Sequence, residues 1–68
     1  MYNKKFAIRI KQARLNNGYT QQDVANITGI SRTNITKYEN GKLEPTLNIL
    51  GALAMLYNVS VDWLLGIK

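Results

Sequence analysis

The sequence predicts an all-α fold, a single domain over residues 1–68 that is built from short helices. Apolar residues recur at helical spacing in successive segments, whereas no strand-like alternation of period two persists anywhere. The five glycines fall at intervals, and four of them stand where a helical pattern stops. A domain this short buries only about 60 % of its unfolded surface, which predicts modest stability.

The first predicted helix covers about residues 3–17. Phe6, Ile10 and Ala13 recur at positions i, i+4 and i+7, so we expect them to form one apolar face. Arg14 adjoins this face, and the Asn-Gly pair that follows ends the helix.

The second predicted helix opens at Thr20. Thr20 and Asp23 form a capping-box-like pair, with Asp in place of the usual Glu or Gln. The helix ends before Gly29. Its expected inward-facing residues are Val24, Ala25 and Ile27.

The third predicted helix begins at Ser31, which can cap its N-terminus, and stops at the Asn-Gly pair 40–41. Only Ile35 and Tyr38 in it are large and apolar, and a helix this short and polar is marginal in water on its own. A short turn containing glycine joins it to the second helix. This pattern predicts a helix-turn-helix over about residues 20–39.

Two further helices complete the predicted fold. The fourth begins after Thr46 and closes at Asn58, and we expect Gly51 within it to allow close helix packing. Its apolar face comprises Leu47, Leu50, Leu53, Ala54 and Tyr57. The last one begins after Ser60 and ends at Gly66. Its expected core residues are Val61, Trp63, Leu64 and Leu65.

The composition argues against catalysis and against a bound metal or cofactor. The chain has no cysteine and no histidine, which excludes a disulfide, a thiolate metal site and a histidine-based triad. Neither a P-loop nor a rich set of carboxylates is present. The carboxylates are Asp23, Glu39, Glu44 and Asp62. The sequence therefore predicts a protein that is not an enzyme and that needs no cofactor.

The charge indicates a polyanionic partner. Nine Lys and Arg against four Asp and Glu give a net charge of +5, which favours nucleic acid or an anionic membrane. Lys4, Lys5 and Arg9 are expected to contribute a general basic field. The N-terminus lacks the apolar core of a signal peptide and no apolar run reaches transmembrane length, so we expect a cytoplasmic protein.

Four motifs make the chain recognisable: TQQDVA, the turn GIS, the ending YENGK and the closing VSVDWLLG. At this spacing, residues 9–66 resemble the helix-turn-helix domain of lambdoid phage repressors and Cro proteins, also called the xenobiotic-response-element family. The resemblance implies a compact five-helix domain of the lambda-repressor-like type, encoded by a bacterium or phage. It also implies that the third helix enters the major groove of DNA, with its N-terminal residues on base edges.

The resemblance assigns base reading mainly to Arg32, Thr33 and Lys37. Arg and Lys favour the O6 and N7 acceptors of guanine, and Thr offers a hydroxyl or contacts a thymine methyl. Asn34 and Thr36 are weaker candidates on the same helix.

The resemblance places phosphate contacts at both ends of the motif. Gln21 and, less securely, Gln22 begin the second helix, where free N–H groups favour a phosphate. Asn40 and Lys42 follow the reading helix, whereas Glu44 departs from the basic residues that some members carry there. The resemblance further implies a largely buried salt bridge between Arg14 and Glu39.

These features predict a sequence-specific regulator that binds double-stranded DNA, as a repressor, without a small-molecule effector. One helix reads about four or five base pairs, so we expect a palindromic operator and a homodimer, at least on DNA, formed through residues 61–67. The chain is either complete, like Cro, or part of a longer repressor.

Two other functions compete with this prediction. The first is a protein-interaction module, an antitoxin or adaptor that keeps the fold with little DNA specificity. The second is a basic amphipathic membrane binder, which is disfavoured because Lys and Arg are spread over several short helices rather than along one face.

Overall fold

The computed structural model describes residues 4–67, which form five α-helices and no strand. Their bounds are Lys4–Asn16 (α1), Gln21–Thr28 (α2), Arg32–Asn40 (α3), Leu47–Tyr57 (α4) and Val61–Leu65 (α5). The prediction of an all-α five-helix domain with a helix-turn-helix at α2 and α3 is confirmed. The predicted start of the first helix at residue 3 lies outside the described residues.

Short polar side chains set the helix starts, as predicted. Thr20 Oγ1 accepts a hydrogen bond from the Asp23 N–H at 3.0 Å, and Asp23 Oδ2 accepts from the Thr20 N–H at 2.9 Å. Ser31 Oγ accepts from the Asn34 N–H at 3.1 Å and so caps α3. These bonds satisfy backbone donors that a helix leaves without an intrahelical partner.

The core lies where α1, α3, α4 and α5 meet, with α2 packed on α3. Val24 and Leu64 are fully buried, and Tyr57 is 2 % exposed. The buried apolar set is Phe6, Ala7, Ile10, Ala13, Val24, Ile35, Tyr38, Leu50, Leu53, Ala54, Tyr57 and Leu64. The predicted apolar faces of α1 and α3 are therefore confirmed.

Two residues that were predicted to face inward point to solvent instead. Ile27 is 56 % exposed because the inner side of α2 runs through Val24, Ala25 and Thr28, which leaves residue 27 on the outer side. Leu47 is 85 % exposed because it is the first residue of α4 and extends past the end of the core.

The expectation for Gly51 is also wrong. Among residues 4–67, a Cβ built on this residue meets no heavy atom within 4 Å beyond its own helix, so no neighbouring helix in this range approaches it closely. Gly66 is the contrasting case. Its φ of +76° favours glycine, and a Cβ there would overlap the Lys5 side chain at Cδ.

Arg9 holds α5 against α1 rather than contributing only a general basic field. Its guanidinium carbon lies 4.9 Å from the centroid of the Trp63 ring, and its Nη1 donates to the Trp63 carbonyl oxygen. A guanidinium over an indole is a favourable cation–π contact. Trp63 is half-buried and packs against the core, in agreement with its predicted place.

Candidate nucleic-acid interface

A tight turn fixes α3 relative to α2. Gly29 takes a left-handed conformation with φ +77°, and its N–H donates to the Ala25 carbonyl oxygen at 2.9 Å. Ile30 packs against the core directly after this glycine, and Ser31 then starts α3. The chain therefore reverses between two short helices with a defined angle, as a helix-turn-helix requires.

The outward face of α3 consists of Arg32, Thr33 and Lys37, and all three are exposed. Within residues 4–67 their side chains make no hydrogen bond or ion pair. Asn34, whose backbone N–H is used by the Ser31 cap, is half-buried. This face thus presents a guanidinium, an ammonium and a hydroxyl to solvent.

Thr36 is placed differently from the other candidate base readers. It is half-buried, and its Oγ1 lies 2.9 Å from Gln21 Oε1 and 3.0 Å from the carbonyl oxygen of Arg32. The hydroxyl therefore faces α2 and its own helix backbone.

The inward face of α3 carries Ile35, Tyr38 and Glu39. Glu39 Oε2 accepts a hydrogen bond from Arg14 Nε at 2.7 Å, and Glu39 Oε1 accepts from Arg14 Nη2 at 3.0 Å. The two side chains are 8 % and 3 % exposed, so the structure forms the buried, bidentate ion pair that the resemblance implies.

Further partners complete the surroundings of Arg14. Its Nη1 donates to the Tyr19 carbonyl oxygen at 2.9 Å. The hydrogen bond to Glu39 raises the pKa of Arg14 above its ordinary value, against the opposing effect of burial. Arg14 thereby ties α1 both to the segment before α2 and to α3.

The candidate phosphate-binding residues lie at two helix ends. Gln21 and Gln22 are the first residues of α2, and Gln22 Nε2 donates to Asn26 Oδ1 at 3.0 Å on the exposed side of that helix. Asn40 is the last residue of α3 and is exposed. Lys42 comes two residues later, and its backbone N–H donates to the Lys37 carbonyl oxygen at 2.9 Å. The Lys42 residue is exposed.

Neither a metal centre nor a membrane span is found in residues 4–67. No group of three acidic side chains gathers there in a way that could hold a metal ion. Every helix in this range is shorter than a membrane crossing requires.

The sequence profile of the helix-turn-helix family matches residues 10–64. The chain belongs to this family. With its five helices and no strand in the described residues, it is a DNA-binding domain of the phage repressor and Cro type with a lambda-repressor-like fold.

Named relatives agree with this membership. The chain is 45 % identical over 60 residues to the SPbeta prophage-derived HTH-type transcriptional regulator YonR of Bacillus subtilis, covering 88 % of the chain and 56 % of YonR. It is 43 % identical over 58 residues to the HTH-type transcriptional regulator ImmR of the same organism, covering 85 % and 46 %. The antitoxin PezA of Streptococcus pneumoniae is 33 % identical over 57 residues, covering 84 % and 36 %. The chain spans about half the length of the first two.

Two connections in the structure lie outside what the sequence predicts. Gln21 was assigned to phosphate alone, yet its amide lies between Glu39 and Thr36. Arg9 was assigned to the basic field, yet it contacts Trp63. A basic residue beside the face of Phe6 and Ile10 was the available signal for the second connection, whereas no pattern in the sequence signals the first.

Proposed function

We propose that this domain binds double-stranded DNA sequence-specifically, with α3 in the major groove, and that it acts as a transcriptional repressor in a bacterial cell. The observation that carries the proposal is the outward face of α3. The side chains of Arg32, Thr33 and Lys37 are exposed and make no hydrogen bond or ion pair within the described residues, on a helix whose opposite face is buried. A short helix with this division of faces suits base reading in the family to which the chain belongs.

Base contacts follow from the chemistry of this face. The Arg32 guanidinium lies at the start of α3 and can bind guanine O6 and N7 together. Lys37 stands further along and can bind the same acceptors of another base pair, while Thr33 suits a thymine methyl or a base-edge acceptor. Asn34 is half-buried and would reach only a base close to the helix start.

Phosphate contacts would set the register of the domain on the duplex. Gln21 and Gln22 stand at the start of α2, where free backbone N–H groups favour an anion. Asn40 and Lys42 stand at the end of α3. If about four phosphates per monomer are neutralised by cationic side chains, the logarithm of the binding constant should fall with the logarithm of salt concentration with a slope of about −3 to −4.

Selection of bound sequences from a random duplex pool tests this function. We expect a defined motif whose symmetry and spacing can be read directly, and selected duplexes should bind about 10³-fold or more tightly than an unrelated duplex. Recovery of the pool without enrichment, or equal binding to all duplexes, would contradict sequence-specific recognition.

The active form on DNA is proposed to be a homodimer on a palindromic operator. Two copies would place their α3 helices in successive major grooves, about 34 Å apart. Within residues 61–67 Ile67 is 68 % exposed and available to a second copy, whereas Leu64 is fully buried in its own core. Sedimentation velocity with and without a selected duplex measures this stoichiometry, and a tight one-to-one complex on a non-palindromic site would contradict the dimer.

A second candidate function is suggested by the similarity to the antitoxin PezA. In that case the fold would serve protein interaction with little DNA specificity. Salt titration of binding to selected and unrelated duplexes separates the two functions, because only the DNA regulator should retain a large difference between them.

A further inference from the structure

The carboxylate of Glu39 determines the orientation of the Gln21 side-chain amide. An ionised carboxylate only accepts hydrogen bonds, so the Gln21 atom that lies 3.2 Å from Glu39 Oε1 is the amide nitrogen Nε2. The amide oxygen Oε1 then faces Thr36 Oγ1 at 2.9 Å. Because Oε1 only accepts, the Thr36 hydroxyl is the donor in this contact, and it shares its single proton between Gln21 Oε1 and the Arg32 carbonyl oxygen at 3.0 Å.

Two bonds to two different groups therefore hold this amide. The reversed orientation would place Oε1 beside the Glu39 carboxylate, which has no hydrogen to donate. Glu39 is itself hydrogen-bonded to Arg14. Side-chain hydrogen bonds from Arg14 through Glu39 and Gln21 to Thr36 therefore connect α1, α2 and α3.

One hydrogen of Gln21 Nε2 stays available in this arrangement. An amide nitrogen carries two hydrogens, and Glu39 Oε1 is the one acceptor for Nε2 among residues 4–67. Gln21 is half-buried, which leaves part of its side chain at the surface beside α3.

We infer that Thr36 is a positioning residue, whose hydroxyl holds the Gln21 amide so that its second Nε2 hydrogen is presented to a DNA phosphate. The inference rests on the proposed function and replaces base reading by Thr36, because its hydroxyl proton is already directed at Gln21 Oε1 and at the Arg32 carbonyl oxygen. Thr36 then strengthens binding to every duplex alike, whereas Arg32 and Lys37 distinguish one base pair from another.

Thr36→Val is the direct test because valine keeps the branched shape and replaces only the hydroxyl by a methyl group. We expect about a three- to tenfold loss of affinity, the effect of one hydrogen bond, and the loss should be the same on a selected duplex, on its single-base-pair variants and on an unrelated duplex. Thr36→Ser keeps the hydroxyl and should bind within about twofold of wild type. Thermal unfolding of both variants checks that the fold is retained.

A double-mutant cycle with Gln21→Ala identifies the residue through which Thr36 acts. In the Gln21→Ala background Thr36→Val should cause no further loss, because the amide that it orients is absent. The side-chain amide resonances of Gln21 supply a measurement without DNA, and we expect them to change in Thr36→Val and to be kept in Thr36→Ser.

Three results overturn the inference. A Thr36→Val effect confined to one base pair would make Thr36 a base reader, and losses that multiply in the double mutant would make the two residues independent. Gln21 amide resonances that do not respond to Thr36→Val would show that the hydroxyl does not hold the amide. Failure of the proposed function is distinct from these, since it is read from the wild-type protein, which would then bind no duplex or bind selected and unrelated duplexes equally.

Discussion

On its inward face helix α3 holds Ile35 and Tyr38 at 3 % exposure each, while on its outward face Arg32, Thr33 and Lys37 stand in solvent. The inward face is further tied by the Arg14–Glu39 ion pair, and the outward face has no side-chain partner within the described residues. The same nine-residue helix thus has one face that is fixed and one that is available. A reading surface on a firmly held helix loses little freedom on binding.

This difference predicts that changes on the two faces affect different properties. Substitutions on the inward side should lower the free energy of unfolding and affect DNA binding only through the fold. Substitutions on the outward side should leave stability nearly unchanged and alter affinity or base preference. The predictions below run from the largest expected effect to the smallest.

Breaking the ion pair should have the largest effect. Arg14→Ala or Glu39→Ala leaves a buried charge without its partner, and we expect each to lower the free energy of unfolding by roughly 3–5 kcal/mol. Chemical denaturation measures this loss. Where an alanine variant is largely unfolded, Glu39→Gln gives a milder version, because it keeps the shape and part of the hydrogen bonding.

The matched control is Arg32→Ala, which removes the same charge from the outward face. We expect it to change stability by less than about 0.5 kcal/mol, as surface substitutions usually do. The Arg14→Ala, Glu39→Ala double mutant should lose less than the sum of the single losses. If the single losses in the free energy of unfolding were additive, and each as small as that of Arg32→Ala, the ion pair would not stabilise the packing of the inward face.

The buried side of the domain should also respond to alkaline pH through Tyr57. Burial raises the pKa of Tyr57 to about 12, with a further contribution from the Glu39 charge, whereas an unfolded tyrosine titrates near about 10. The folded protein holds the phenol proton more tightly than the unfolded chain. Its stability from this group is therefore complete below about pH 10 and is lost as pH rises toward about 12, by on the order of 2 kcal/mol.

Denaturant titrations of wild type and Tyr57→Phe across pH 9 to about 12 isolate this effect, because both proteins share every other titrating group. Burial also raises the pKa of Tyr38, so a shallower fall should persist in Tyr57→Phe. Parallel curves for the two proteins would show that Tyr57 does not contribute.

On the outward face Arg32→Ala should relax the preference at one base pair of each half-site. A bidentate contact to guanine contributes about 1–3 kcal/mol of discrimination, so binding to the selected duplex should weaken while binding to its variant at that base pair changes little. Competition binding with single-base-pair variants measures this. An equal loss on all duplexes would instead assign Arg32 to a phosphate.

The helix caps and the two faces of α3 could be predicted from the sequence, whereas the side-chain contacts between helices could not. Thr20, Ser31, Thr46 and Ser60 each cap a helix through a hydrogen bond to a backbone N–H three residues on, and such local bonds depend on nearby residues alone. The outward position of Lys37 likewise follows from helical spacing once Ile35 and Tyr38 face inward.

Other features depend on where elements meet in three dimensions. Leu47 continues the apolar spacing of α4 but extends past the core, and within residues 4–67 no neighbouring atom lies within 4 Å of a Cβ built on Gly51. Periodicity predicts neither fact, because it encodes neither where the core ends nor what lies beside a helix face. The contact of Gln21 with Thr36 depends on how α2 and α3 pack, so it could be found only in the folded structure.

Substitution of Lys42 should have the smallest effect on DNA binding, and it distinguishes a contact with the DNA phosphates from base reading. It follows α3 and is exposed, so we expect its ammonium to neutralise one phosphate without contacting a base. Lys42→Ala should reduce the magnitude of the salt slope by about one and weaken binding to selected and unrelated duplexes in equal proportion. Lys11→Ala removes the same charge from an exposed position on α1 and should change the slope by less. Salt titrations of the three proteins on one duplex measure the difference, and a Lys42→Ala slope equal to that of wild type would place Lys42 away from the phosphates.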